Sequence, residues 1–156
     1  AGHPGRNSVM SEAAWLAASN IPPENRRPIP AELGAVEAAA RYAGWLKTVT
    51  DFDVVLLGIG EDGHTASLFP SHDWGDAPDS PDVLAVFDAP KPPPERVSLS
   101  ATRLGRSRRV WFVITGSGKR EALTRWKNGE TLPVSAVRGK LDTVAWLDAA
   151  AWPAEE

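Results

Sequence analysis

The sequence contains no cysteine among its 156 residues. Disulfides, thiolate metal ligands and a cysteine nucleophile are therefore excluded, and the chain is compatible with a reducing compartment. Apolar runs stay well short of the ~20 residues that a membrane-spanning helix requires, and no basic segment precedes an apolar one at the start, so we expect neither a membrane span nor a signal peptide. The net charge is −3, which gives no positive field to attract nucleic acid or anionic lipid.

The bulk composition suits a single globular domain over residues 1–156. Hydrophobic residues make up 42% of the chain and charged residues 24%, values typical of soluble globular proteins. The seven tryptophans are expected to supply core material rather than stacking surfaces. The opening letters AGHPGRN are typical of the middle of a loop, so we expect a fragment or a processed form.

Hydrophobic periodicity predicts helices that alternate with strands. The predicted helices cover residues 8–19, 31–49, 102–108 and 119–127, and Asn7 or Ser8 is the expected N-cap of the first. The predicted strands cover residues 53–57, 83–87, 96–101, 110–115 and 143–147. The second helix should bury a stripe of apolar side chains, namely Leu33, Val36, Ala40, Ala43 and Leu46.

Two of the predicted strands, 53–57 and 110–115, are almost wholly apolar. Such runs are typical of strands buried on both faces of a parallel sheet. Each strand ends in a glycine turn and the chain then continues toward the next element. This alternation predicts an α/β fold with a mostly parallel sheet.

Glycine loops follow both apolar strands. GIGEDGH, residues 58–64, follows the first, and TGSGK, residues 115–119, follows the second. Ligands in open α/β sheets bind at the carboxyl ends of the strands. If the two strands are neighbours, both loops therefore face one crevice.

His64 is the candidate general base in the first loop. We expect it at or near a helix start, where the helix dipole favours the neutral imidazole that can accept a proton from water. Asp62 can orient the ring or balance its charge. Gly58, Gly60 and Gly63 allow a close backbone approach to a ligand or a positive φ.

The spacing alone leaves three interpretations of this loop open. It can be a plain turn, a functional site, or the dinucleotide fingerprint G-x-G-x-x-G, which Gly58, Gly60 and Gly63 satisfy formally. Glu61 and Asp62 speak against the last of these, because they would repel a pyrophosphate.

The second loop offers a lysine in a turn. TGSGK is not a P-loop, since Val113 and Arg120 stand where that motif requires glycine and Ser or Thr. Backbone N–H groups at a helix start together with Lys119 could still hold a phosphate group. On composition alone, a solvated lysine is the slightly favoured alternative.

Other chemistries find little support in the sequence. No two histidines have metal-ligand spacing on a helix, so no metal site is expected. No G-x-S-x-G elbow is present, which argues against a hydrolase serine. The basic run RLGRSRR, residues 103–109, is expected to be a solvated face rather than a nucleic-acid site.

The segment LLGIGEDGHTASLFP, residues 56–70, resembles the signature of the 6-phosphogluconolactonases. The resemblance extends in order over nearly the whole chain. Asn7 and the helix after it are similar to the segment upstream of the signature. Further similar segments are IPPENRRPIP at 21–30, KPPPERVSLSATRL at 91–104, VWFVITGSGKREAL at 110–123 and LPVSAV at 132–137.

This resemblance implies a Rossmann-like three-layer α/β sandwich and a soluble, cytoplasmic enzyme of the oxidative pentose phosphate pathway. The implied reaction is hydrolysis of 6-phospho-D-glucono-1,5-lactone without metal or organic cofactor. The implied roles are general base for His64 and phosphate binding for Lys119, while Arg96 lines the same region. The oligomeric state is left open.

The glucosamine-6-phosphate deaminases share this fold, the D-G-H core and the phosphate lysine. They place an acid seven residues after the aspartate, where this chain has Phe69, so the resemblance favours the lactonase. Family members also carry an upstream glycine-serine-threonine loop and an Asp-Glu-Arg motif, neither of which occurs here. The alternative function is therefore a non-catalytic phosphosugar-binding fragment that needs a missing N-terminal segment.

Overall fold

The structure is a computed structural model that describes Gly2 and residues 6–153. Four α-helices occur in these residues: α1 (Asn7–Ser11), α2 (Ala35–Leu46), α3 (Ala101–Gly105) and α4 (Arg120–Lys127). Five strands occur with them: β1 (Phe52–Leu57), β2 (Val83–Val86), β3 (Arg96–Leu99), β4 (Ser107–Ile114) and β5 (Asp142–Leu147). Short 3-10 turns and one π-helical turn, Glu12–Leu16, complete the regular structure.

The strands form a parallel sheet and a separate hairpin-like pair. The sheet has the order β1-β4-β5, and both of its pairings are parallel. Strands β2 and β3 pair antiparallel apart from it, and α2 packs on this pair. The predicted α/β class with a mostly parallel sheet is confirmed. The two apolar strands, β1 and β4, are neighbours, which is the condition for both glycine loops to face one crevice.

One face of the parallel sheet carries the main core. The buried side chains of this face alternate along the strands, as the two-residue repeat of a strand requires. They meet α4 and the 132–137 segment in one cluster, which includes Val55, Val110, Phe112, Ile114, Leu123, Leu132 and Val134. Burial of this face anchors the carboxyl ends of β1 and β4, from which both glycine loops leave.

The opposite face of the sheet is open, and the expectation of strands buried on both faces is wrong here. Val54 and Leu56 on β1 and Val113 on β4 are 41%, 63% and 53% exposed. Trp146 on β5 pairs with Val113 and is itself 55% exposed. The apolar runs predict the strands β1 and β4 correctly, but they do not predict whether other elements cover both faces of the sheet. Trp15 and Trp152 are also about half exposed, so the expectation that tryptophans supply core material does not hold for these two or for Trp146.

Helix α2 begins later than predicted and buries a different stripe. Gly34 has φ +83°, outside the helical region, and separates the 3-10 turn Ala31–Leu33 from α2. The stripe rotates accordingly, so that Val36 and Ala40 are exposed while Leu46 stays buried. The buried residues of α2 are Ala35, Ala38, Ala39 and Leu46. Small alanines allow α2 to lie close to the β2–β3 pair.

Arg103 is fully buried, contrary to the expectation that the basic run is a solvated face. Its guanidinium donates hydrogen bonds to the carbonyls of Val49 and Thr50, at 3.1 and 3.0 Å. It also lies 4.2 Å from the ring centroid of Phe52. A buried cation needs such partners, and together they fix the start of β1. A run of charged residues predicts a solvated surface, but the prediction fails where other parts of the chain supply hydrogen-bond partners in place of water, as they do for Arg103.

Candidate active site

The first glycine loop leaves the end of β1 and borders a cavity of about 410 Å³. The cavity lies where ligands bind in parallel α/β sheets, at the carboxyl end of a strand. Its lining comes from three places in the chain: Asn7 at the start of α1, the end of β1 with the glycines after it, and the histidine segment. The lining residues are Asn7, Leu56, Leu57, Gly58, Ile59, Gly60, His64, Thr65 and Ala66.

His64 and Asp62 form a tight pair at this cavity. The Nδ1 atom of His64 lies 2.6 Å from Oδ1 of Asp62, and the same oxygen accepts the backbone N–H of His64 at 3.2 Å. An ionised carboxylate can only accept, so in the neutral imidazole Nδ1 carries the proton and Nε2 has the free lone pair. Asp62 thus sets both the orientation of the imidazole and its tautomer.

Asp62 itself is held in the charged form. Burial raises the pKa of Asp62, but the hydrogen bonds from the His64 ring and backbone outweigh burial, so the pKa lies below its ordinary value. At neutral pH the carboxylate is therefore available to accept the Nδ1 proton and to stabilise a positive imidazolium.

Steric contacts explain two of the three loop glycines. A Cβ on Gly60 would lie 2.0 Å from His64 Nδ1, so the imidazole folds directly over this residue. Gly63 has φ +88°, and a Cβ there would meet the Leu132 side chain at 2.9 Å. Gly58 is different, because the nearest atom to its Cβ position would be the Val113 carbonyl oxygen at 3.8 Å. Of the two expected uses of these glycines, a positive φ occurs at Gly63 alone, and a close backbone approach to a ligand stays a prediction for all three.

The expectation that His64 lies at a helix start is wrong. Residues 61–71 form successive turns, with Ala66 at φ +50° and an isolated bridge between Thr65 and Leu68. Pro70 disfavours the helical region for the residue before it, which leaves too few residues after Gly63 for a helix. The orientation of the imidazole comes from Asp62, and no helix dipole contributes to it.

Two residues that were not among the predicted site residues support the site from behind. The Thr65 hydroxyl is buried and donates to the carbonyl of Gly58 at 2.8 Å. The fully buried ring of Phe69 lies 4.8 Å from the His64 ring, centroid to centroid. Both belong to the TASLF continuation of the loop. The two consecutive apolar residues Leu68 and Phe69 are the feature of the sequence that could have predicted burial of this segment.

The second glycine loop meets the first, as the order of the strands predicts. A Cβ on Gly118 would lie 3.3 Å from the carboxylate of Glu61, the residue before Asp62. The backbone N–H of Gly116 donates to the Asp148 carboxylate at 3.1 Å. Lys119 makes no ion pair or side-chain hydrogen bond with the described part of the chain, and it does not line the His64 cavity.

Arg96 lies at the start of β3 and is tied to its own preceding turn. The guanidinium donates to the carbonyls of Lys91, Pro92 and Pro93 and lies 5.5 Å from the Phe69 ring centroid. It is therefore next to the residue that backs His64, and it does not line the cavity.

Two features are absent from residues 2 and 6–153. These residues hold no group of three or more His, Cys, Asp or Glu side chains that could ligate a metal ion. None of their helices is both long enough and apolar enough to cross a membrane.

A parallel sheet with an Asp–His pair at the carboxyl end of an edge strand defines an α/β protein with a small-molecule site. Comparisons with known proteins make this class specific. The sequence profile of the glucosamine-6-phosphate isomerases/6-phosphogluconolactonase family matches residues 1–146. The chain therefore belongs to the glucosamine-6-phosphate isomerase/6-phosphogluconolactonase family.

Individual relatives agree with this assignment. The 6-phosphogluconolactonase of Streptomyces coelicolor is 36% identical over 96% of this chain and 64% of its own length. The Mycobacterium leprae 6-phosphogluconolactonase is 35% identical over 91% of this chain and 63% of its own. The crystal structure of the Thermotoga maritima 6-phosphogluconolactonase superimposes with a TM-score of 0.81 at 28% identity, over 93% of this chain and 67% of that one. The chain thus spans about two thirds of the length of these proteins.

Proposed function

We propose that the site hydrolyses 6-phospho-D-glucono-1,5-lactone to 6-phospho-D-gluconate. The observation that carries this proposal is the 2.6 Å contact between His64 Nδ1 and Asp62, which leaves Nε2 as a base at the cavity. The named relatives are 6-phosphogluconolactonases, which supports the lactone as substrate. A cytoplasmic location and the absence of a cofactor are also part of the proposal, and they rest on the resemblance of the sequence to the family alone.

The proposed chemistry needs one base and one site for negative charge. His64 Nε2 takes a proton from water as the water oxygen attacks C1 of the lactone. Asp62 stabilises the imidazolium that forms. The tetrahedral intermediate then collapses, the bond from C1 to the ring oxygen breaks, and His64 returns its proton to that oxygen.

The N–H groups of Gly60 and Gly63 are the obvious donors to a developing oxyanion, but both are already engaged in the loop. The N–H of Gly60 donates to the His64 carbonyl at 2.7 Å, and the N–H of Gly63 donates to the Gly60 carbonyl at 3.0 Å. These two groups hold the loop together and are not directed at a substrate. The stabilising N–H groups of the proposed mechanism therefore come from other backbone that lines the cavity, next to Gly58 and Ala66.

Lys119 is the proposed phosphate-binding residue. It lies in the second loop, which touches the first at Glu61, and its ammonium has no partner within the described residues. Binding the phosphate there would fix the far end of the lactone while C1 lies near His64.

Deamination fits the site less well. The resemblance places the acid of the deaminases at position 69, and Phe69 is an uncharged, fully buried ring packed against His64. It offers no group for proton transfer in ring opening, so we retain hydrolysis.

A second candidate is phosphosugar binding without turnover by these 156 residues alone. The open face of the sheet favours it, because the exposed Leu56 of that face also lines the His64 cavity. One wall of the site is therefore continuous with uncovered apolar surface. Turnover would then require the part of the family domain that the relatives have and this chain does not span.

Disappearance of freshly made lactone, followed against its spontaneous hydrolysis, tests both candidates. Hydrolysis predicts acceleration by the chain and loss of that acceleration in His64→Ala, by roughly 10²–10⁴-fold for a general base. Equal acceleration by both proteins would overturn the role of His64. No acceleration, together with 6-phosphogluconate binding that Lys119→Ala weakens, would select the second candidate.

A further inference from the structure

The Arg96 guanidinium donates hydrogen bonds to backbone oxygens from its Nε–Nη2 edge, an edge that could otherwise bind a phosphate. Its Nε donates to Pro93 O at 3.1 Å, and its Nη2 donates to Lys91 O at 2.7 Å and to Pro92 O at 3.1 Å. A bidentate clamp on phosphate uses two parallel N–H groups of the guanidinium. The edge formed by Nε and Nη2 already has three acceptors.

The same guanidinium contacts Phe69, and Phe69 in turn contacts His64 of the Asp62–His64 pair. It lies 5.5 Å from the centroid of Phe69, a cation–π distance. The Phe69 ring is fully buried and lies 4.8 Å from the His64 ring at an angle of 44°. The imidazole is thus held by Asp62 at Nδ1 and packed against Phe69, and the Arg96 guanidinium lies over that ring.

A second contact joins the turn of residues 91–95 to the site loop. The Lys91 ammonium lies 3.7 Å from the Glu61 carboxylate, beside Asp62. Both groups are more than half exposed, so this pair contributes little energy. It nevertheless shows that the turn lies against the loop, and the half-buried Arg96 is hydrogen-bonded to the same turn.

We propose that Arg96 is a positioning residue, which holds Phe69 against His64 and fixes the 91–95 turn beside the site. Its effect on turnover rests on the proposed function, whereas its effect on the imidazole does not. This role differs from direct phosphate binding in a way that substitution can detect. A lysine keeps the positive charge but lacks the planar fork that satisfies three carbonyls and lies over a ring.

The imidazole signals of His64 provide the test. In ¹H–¹³C correlation spectra of the free protein, the His64 ring signals are identified by their loss in His64→Ala. We expect Arg96→Lys and Arg96→Ala both to move them at fixed pH. Arg109→Lys is the matched control, because Arg109 pairs with Asp142 at the opposite end of β4. His64 signals that move no more than in the control would overturn the proposal.

A binding measurement separates positioning from phosphate contact. We expect the Kd of 6-phosphogluconate to change by less than ~3-fold in Arg96→Ala, whereas loss of a hydrogen bond to a charged group would weaken binding by ~10-fold or more. A 10-fold weakening that Arg96→Lys restores would overturn the proposal.

Phe69→Leu keeps the test decisive if the Arg96 variants do not fold. It removes the ring and leaves the guanidinium, and it should also move the His64 signals. Unmoved signals in this variant would contradict a role for Phe69 in holding the imidazole. Because these spectra need no substrate, their outcome is independent of whether the chain hydrolyses the lactone.

Discussion

The two glycine loops leave neighbouring strands, yet they are held in opposite ways. The first loop is closed by its own atoms: Gly60 N–H bonds to the His64 carbonyl, and Asp62 bonds to both the ring and the backbone of His64. The second loop has one internal bond, from Lys119 N–H to the Gly116 carbonyl at 3.2 Å, and no side chain of its own holds it; the side chain that does is Asp148, whose carboxylate accepts the N–H of Gly116. The first therefore fixes the geometry of the His64 imidazole, while the second carries the Lys119 ammonium.

Gly60→Ala should have the largest effect on both stability and lactone turnover, because it disrupts the hydrogen bonds within the first loop. The new Cβ would lie 2.0 Å from His64 Nδ1 and 2.6 Å from Asp62 Oδ1, so the pair must separate. Overpacking of this kind costs roughly 1–3 kcal/mol, and lactone turnover should approach the level of His64→Ala. Urea unfolding and the turnover assay measure the two effects.

Gly58→Ala is the matched control for that change. Its Cβ would meet nothing closer than 3.8 Å, so we expect nearly unchanged stability. Similar losses at Gly58 and Gly60 would contradict the steric account of the first loop.

Asp62→Asn should have the next largest effect, and it leaves the backbone intact. The amide can donate to Nδ1, which would place the imidazole proton on Nε2 and block the base. We expect kcat to fall on the order of 10²-fold, the lower end of what a general base contributes, with little change in KM. A change in KM alone would contradict the assigned role.

The Asp62 carboxylate also predicts a pH dependence of stability. Its pKa is lowered in the folded protein, so its contribution is present above the ordinary carboxyl pKa of about 4 and is lost as the pH falls through the lower, folded value. The difference in unfolding free energy between wild type and Asp62→Asn should therefore shrink between pH 6 and pH 3. A difference that grows toward low pH would contradict this sign.

Lys119→Ala tests the charge that the second loop presents. Loss of a charged contact to phosphate should weaken 6-phosphogluconate binding by ~10-fold or more and leave the His64 ring signals unchanged. Lys127→Ala, at the end of α4, is the control of equal charge. Equal weakening by both variants would indicate a general electrostatic effect instead of a site.

Gly118→Ala should have the smallest effect. Its Cβ would lie 3.3 Å from the end of the exposed Glu61 side chain, which can move away. We expect a change in unfolding free energy within about 0.5 kcal/mol. A loss as large as that of Gly60→Ala would show that the second loop is as tightly built as the first.

Local patterns were sufficient to predict the parallel strands and the site loop. Apolar runs that end in glycine predict parallel strands, and Asp62 and His64 are close enough in sequence to meet, whereas no local pattern predicts that β1 and β4 are neighbours. The missed features depend on distant contacts. The burial of Arg103 needs the carbonyls of Val49 and Thr50, and no local rule predicts these partners.

Turn geometry accounts for another missed feature. The positive φ of Ala66, a conformation that alanine rarely adopts, is imposed by tertiary packing of the residues that follow. Propensity therefore favoured a helix after His64, and the structure has turns instead.

The open face of the sheet carries a tryptophan whose fluorescence should report whether that face is covered. Trp146 lies on that face and stacks edge-on against Trp111 at 6.2 Å between ring centroids. A solvent-exposed indole emits at longer wavelength than a buried one. Anything that covers this face should therefore shift the tryptophan emission to the blue, and a Trp146→Phe variant would isolate that signal from the other six indoles.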